Sequence, residues 1–323
     1  MTARKTILVL CPFPQGIAAG QRLKYEQYFS DWQAAGFDIT VSSFMDRAMY
    51  DIVYQPGHLP AKLLGTLRGH MRRLRDMPRI RRFDLIYVFM WVTPVGTSIM
   101  ERATRALARR MIYDIEDNAL VGQRIPKADN PNPLMRLLKA REKVEYLIRE
   151  ADHVITSSPL LNDICVKMNR RGACTYISSS VDAGRFVPSN AYEGGDGVTI
   201  GWTGTYSTKP FLDLLRPVFQ RLAERVRFKL RVIGNFEYEL PGVDLEVVRW
   251  SKEKEVDDLQ AIDIGVYPLP LDDWVIGKSG LKAIQYMAFG LPVVASDAGI
   301  TSRVVRGGAT GIQIGRASCR ERV

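Results

Sequence analysis

Apolar residues along this chain gather in short, nearly continuous runs, and the stretches between them follow a helical period. Residues 6–10, 37–42, 84–89, 111–115, 153–157 and 173–177 read as strands of the buried kind, which carry no polar alternation. Between them, 21–35, 98–110 and 127–150 read as helices, the first ending at Gly36. Residues 183–197 are rich in Gly, Asn, Ser and Pro, lack a period, and read as a linker. A second alternating set follows: strands at 198–202, 228–233 and 245–248, helices at 211–224 and 254–260, and a loop at 203–209. Strands alternating with helices predict parallel sheets covered on both faces, here two in tandem. Such sheets bind ligands outside the carboxyl ends of their strands, and the cleft between two of them is the expected place.

Residues 263–298 carry the most chemistry. They read as strand, loop, helix, tight turn at Gly290 and a short apolar strand at 291–295, with the helix opening on Gly277-Lys278-Ser279-Gly280. A helix start presents unpaired N–H groups and partial positive charge, so a lysine and two glycines there suit an anion such as a phosphate. At about 100° per residue, Leu281, Ile284 and Ala288 form one stripe that could pack on a sheet, and Lys278, Lys282 and Gln285 another that could face a ligand. An ordinary helix with a solvated cationic face fits the same spacing.

The composition is that of a water-soluble globular chain: 323 residues, 46% hydrophobic and 25% charged. No apolar run reaches the roughly 18–20 residues of a membrane helix, and 7–10 is too short for a signal core. The four cysteines form no CxxC, and with three histidines they offer no zinc motif. A reducing cytoplasm is therefore the expected compartment. A net charge of +10 favours anionic partners. Much of it sits in 62–82, where Leu63, Leu67, Met71 and Leu74 recur at helical spacing among arginines. That pattern suits a helix lying on an anionic membrane surface, peripheral at the inner face. A core-packed helix with a basic outer face is the alternative. Nucleic acid is not expected, since no zinc finger, RNP-type aromatic pair or basic zipper is present.

Residues 314–323 fit nothing before them. They back-translate to a common sequencing-library adapter, so a non-native tail on a truncated gene is expected and Cys319 carries no meaning.

Several short stretches in order resemble the family 4 glycosyltransferases. They are ADHVITSSPLL at 151–161, Val181-Asp182 with Phe186 and Pro188, IGWTG at 200–204, Trp250 with Asp263-Ile264-Gly265, and the GKSGLKAIQYMAFGLPVV segment. The resemblance implies a GT-B fold of two tandem Rossmann-like domains, with an acceptor-side domain at 1–190 and a donor domain at 191–313 that lacks its closing helices. It implies a retaining hexosyltransferase moving a sugar from a nucleotide diphosphate to a glycan or lipid-linked acceptor of the cell envelope, with no metal and no cofactor beyond the nucleotide-sugar co-substrate. Lys278 is the first candidate to stabilise the leaving diphosphate, then Lys209 and Arg22. Gly16, Gly20 and Gly204 would let backbone approach the donor, and Gly277, Ser279 and Lys282 complete the turn. Trp250 could stack on the base, or serve as a core aromatic. Asp117, in the segment YDIEDN, is expected to orient the acceptor hydroxyl, with a helix cap as its alternative. Arg22 could equally be a surface residue. The family's Glu-x7-Glu pair is replaced by Gly277 and Gln285, and Gln285 can still hydrogen-bond a ribose. The truncated chain could be inactive. Two other readings are a non-catalytic sugar-nucleotide binder at the membrane and a nucleotide-sugar epimerase of the same fold.

Overall fold

The computed structural model describes residues 4–120, 141–188, 197–271, 273 and 275–314, without the side chains of Arg141 and Ile276. Contacts divide the chain into two units, one of residues 1–179 with 276–279, the other of 180–275 with 280–323. The division falls ahead of the boundary at 190 expected from the linker. Phe186, inside that linker, is buried and packs on Phe289 at 5.5 Å. Residues 189–196, the 127–140 part of the expected helix and the tail from 315 lie outside the described residues.

The first unit holds a six-stranded parallel sheet in the order β2-β1-β3-β4-β5-β6. The strands are β1 Lys5–Cys11, β2 Phe37–Ser43, β3 Leu85–Phe89, β4 Met111–Ile115, β5 His153–Thr156 and β6 Cys174–Tyr176. Successive side chains alternate between faces. One face collects Leu8, Leu10, Ile86, Val88, Met111 and Tyr113, the other Ile7, Val9, Cys11, Tyr87 and Phe89. Both faces are buried, which is why the strands read as unbroken apolar runs.

The second unit repeats the plan in the order β12-β11-β10-β7-β8-β9, again with every described pairing parallel. Its strands are β7 Val198–Thr203, β8 Phe228–Gly234, β9 Asp244–Arg249, β10 Ile264–Tyr267, β11 Val293–Ser296 and β12 Gly311–Ile314. Ile314, assigned to the tail on sequence, pairs with Ser296 as the last residue of β12. Strand order reverses between β1 and β3 in the first sheet and between β7 and β10 in the second, and such switch points open a crevice at the strands' carboxyl ends.

The helices depart most from expectation. The helix expected at 21–35 is broken into Ala19–Arg22, a 3-10 turn Glu26–Tyr28, and Phe29–Ala34. Side chains cause the break: Gln21 Nε2 donates to Phe13 O at 3.0 Å, and Glu26 Oε2 accepts from the Gly16 amide at 2.7 Å. The helix expected at 211–224 is two helices, Lys209–Asp213 and Arg216–Ala223, the second restarted with Pro217 in its first turn. Two further helices, Arg47–Val53 and Pro159–Met168, have no strong period. Their caps mark them, as Asp46 accepts from the Met49 amide at 2.9 Å and Ser158 from the Leu161 amide at 3.2 Å.

Candidate functional site

The residues just past β4 form a charged cluster in the first unit. Asp114, the next-to-last residue of β4, is buried and paired with Lys24 Nζ at 2.6 Å. Tyr87 Oη also donates to Asp114 Oδ2, and Lys24 Nζ reaches the Ile115 carbonyl at 3.4 Å. Removing one partner of such a pair would strand a buried charge at a cost of about 3–5 kcal/mol. Glu116 follows, partly buried, with its carboxylate beside Gly20. A methyl group at position 20 would overlap Glu116 Oε2, so glycine there makes room for the carboxylate. Burial pushes the Glu116 pKa up from 4.5 to about 7; Asp117 and Asp114 add to the rise, and Lys24 and Lys278 oppose it.

Residues 276–279 join this unit by their contacts. Lys278 Nζ lies 3.1 Å from Asp117 Oδ1, with both side chains mostly sheltered. Ser157 Oγ sits on the carbonyls of both Glu116 and Gly277, 2.6 Å from the second, and its single proton serves one at a time. A side chain at 277 would run into the Asp117–Asn118 peptide, with Asp117 C at 2.6 Å from a methyl. Rotation cannot relieve a clash with backbone, so glycine at 277 is what lets Lys278 reach Asp117. Asp117 caps no described helix; its side chain is an ion-pair partner.

The helix expected to open at Gly277 runs Leu281–Ala288, a turn later. Gly277 closes a 3-10 turn Val275–Gly277, and Gly280 takes the cap position with φ +73°, a conformation glycine accepts readily. The packed face also differs from the expected stripe of Leu281, Ile284 and Ala288. Ala283, Gln285 and Tyr286 are the buried residues, and Tyr286 Oη accepts from the Thr203 amide at 2.9 Å. The aromatic ring needs the depth beside β10, where Gly265 lies against it. Gln285 is therefore buried, Ser279 is buried, and Lys282 Nζ stands 5.8 Å over the Tyr267 ring.

The remaining candidates are spread wider. Gly204 leaves β7 with its amide on Ile233 O at 3.0 Å, and Thr205 and Thr208 form a capping box behind it. Lys209 Nζ is 3.4 Å from Asp213 Oδ2 and 5.6 Å over the Tyr238 ring. Trp250 follows the edge strand β9, its amide on Gly234 O at 2.8 Å. Gly16 has φ +77°. Arg22 is buried, which removes the surface reading. The structure thus gathers Lys278, Asp117, Gly277 and Gly20 into one cluster with Glu116 and Ser157. Lys24, Tyr87, Gln21 and Glu26 had no sequence signal, since their partners lie in distant strands or loops.

Among the described residues, no group of three or more His, Cys, Asp and Glu could hold a metal ion, and no helix is long and apolar enough to cross a membrane. Residues 197–321 match the family described as Glycosyl transferases group 1. No curated protein matches the chain. Among solved structures, sucrose-phosphate synthase from Thermosynechococcus elongatus superposes with a TM-score of 0.68 at 16% identity, covering 97% of this chain and 86% of that one. The catalytic domain of starch synthase IV from Arabidopsis thaliana, bound to ADP and acarbose, gives 0.62 at 10% identity over 98% and 89%. Anabaena HepE in complex with UDP-glucose gives 0.57 at 16% identity over 96% and 85%. At these identities the likeness shows the fold, the GT-B pairing of two Rossmann-like domains.

Proposed function

We propose that the protein is a GT-B glycosyltransferase that moves a hexose from a nucleoside diphosphate to a glycan or lipid-linked acceptor, with retention at the anomeric carbon. One observation carries this reading: the lysine-bearing loop 268–280 leaves β10 at the strand-order reversal of a sheet whose residues match the group 1 family. Nucleotides bind parallel sheets at such a point. Starch synthase IV and HepE, similar in fold, were solved with ADP and with UDP-glucose.

The chemistry breaks the bond between the anomeric carbon and a diphosphate oxygen and forms one to an acceptor oxygen. Negative charge grows on the diphosphate as it leaves, and a positioned cation stabilises that charge most where water is excluded. Lys278 takes this role. An ammonium donates up to three hydrogen bonds, so Asp117 can hold it while another donor meets a phosphate oxygen. Lys209 and Arg22 are the further cationic candidates, and Gly16 the place where backbone comes close to the donor; the space over Gly20 and Gly204 is taken by Glu116 and Trp202. Gln285 and Trp250 are assigned to the ribose and the base. Asp117 orients the acceptor hydroxyl. Glu116 beside it, held near neutrality, can take or give a proton at pH 7. No metal is assigned a role.

Titration of nucleoside diphosphates, followed by donor hydrolysis, tests the reading. Lys278→Ala should weaken diphosphate affinity about ten- to a hundredfold, the range of one hydrogen bond from a charged group. An unchanged affinity would remove Lys278 from the site. Release of an inverted sugar product, followed by NMR, would overturn retention.

A further inference from the structure

The long helix Leu59–Ile80 is built inside out. Its buried residues are Lys62, Gly65, Gly69, Arg73, Asp76 and Ile80. Gly69 lies against the Phe44 ring and Gly65 against Met49, so the helix packs on its unit through a groove of glycines. An ion pair closes the same face, with Arg73 Nη1 3.3 Å from Asp76 Oδ2 and Arg73 Nη2 donating to Cys11 O at 2.9 Å. The apolar residues are on the other side. Leu59, Leu63, Leu64, Leu67, Met71 and Leu74 are each between 46% and 59% exposed. At about 100° per residue they fill an arc of about 140°, with the buried set centred roughly opposite. The helix does pack on the core, but through its glycines, and the leucines do not face that core.

Such an arrangement places in water the surface that folding normally removes from it. The occupant must be apolar, and the charges beside the stripe say what else it is. Arg68, Arg75 and Arg79 are exposed along one edge of the leucine arc, and Arg82 follows just past the helix end. The only acidic residue in 59–82 is Asp76, which is buried. Asp76 pairs with Arg73 at 3.3 Å and, of the edge arginines, reaches Arg79 at 3.8 Å, so the leucine stripe is edged by an excess of arginine, which fits an acyl layer bounded by anionic headgroups. We infer that Leu59–Ile80 lies in the surface of an anionic membrane, with its leucines among the acyl chains and its arginines on lipid phosphates. The inference rests on this helix alone and does not depend on the transferase reading.

Sedimentation of the full chain with vesicles tests it, using phosphatidylcholine alone and phosphatidylcholine mixed with phosphatidylglycerol. The protein should bind the mixed vesicles, and binding should weaken with salt. Leu63→Ser/Leu67→Ser/Met71→Ser should lose about tenfold or more of the partition coefficient. Arg68→Gln/Arg75→Gln/Arg79→Gln should lose about two orders of magnitude on the mixed vesicles and little on neutral ones. All six positions are exposed, and near-UV circular dichroism verifies that each variant is folded. A Leu67→Trp variant, whose emission shifts to the blue on insertion, gives a second readout. Two results would overturn the inference: mixed vesicles that sediment no more protein than neutral ones, or a wild-type dimer in light scattering that the serine variant turns into monomer. Nucleoside diphosphate titration of the same variants keeps the two readings apart, since donor affinity should not change.

Discussion

Glu116 is the residue whose environment most constrains its chemistry. Unfolded, it would release its proton near 4.5; folded, it holds the proton to about 7. Between those values the folded chain binds more protons than the unfolded one, so its stability falls as pH rises. The stabilisation is fully present below 4.5 and is lost as the pH passes about 7. Glu116→Gln keeps the shape and cannot ionise. The variant should melt higher than the wild type at pH 8, with the difference shrinking to nothing below pH 4.5. A melting-temperature series against pH measures this, and parallel curves for the two proteins would mean that Glu116 ionises normally. The sequence showed the carboxylates of YDIEDN but not which of them would be strained. That depends on Gly20 and Lys24, which the fold brings from far along the chain.

At the scale of elements, sequence pattern and structure part company where side chains override periodicity. The strands were legible because both faces of each sheet are buried, which leaves apolar runs that survive any register. The helices were harder to read. The stretch 21–35 has a sound helical period, yet Gln21 and Glu26 spend their side chains on the 13–16 loop and the helix breaks. In Leu59–Ile80 the period fits a helix, but period alone does not fix which way its apolar face points. Glycines and an arginine in the core contradict the usual rule that the apolar stripe faces inward. This makes an asymmetric prediction. Gly69→Leu must push into the Phe44 ring and should cost about 1–3 kcal/mol as an overpacked core substitution. Met71→Ser, two residues on and exposed, should change stability by no more than about 0.5 kcal/mol. Urea denaturation of both decides it; equal losses would mean that the helix packs through its leucines.

At the scale of the molecule, two parallel sheets in tandem followed from strand–helix alternation alone, and the resemblance directed attention to residues 263–298. Composition could not supply the strand order, which depends on crossovers between distant strands. That order is what now singles out two loops of the second unit. The chain leaves β7 into 204–208 and leaves β10 into 268–280, on the two sides of the point where the order reverses. Backbone amides there are the natural partners of a diphosphate, whereas the edge strand β9 lies two strands away from β7 and the switch. Hydrogen exchange with and without a nucleoside diphosphate separates the possibilities. Protection should rise in 203–209 and in 277–286 and stay unchanged along Asp244–Arg249. Protection confined to β9 and Trp250 would put the nucleotide at the sheet edge and remove Lys278 from the chemistry. Protection in 203–209 without 277–286 would keep the fold's general site while denying the lysine its role. Only the joint response fits a diphosphate gripped by both loops.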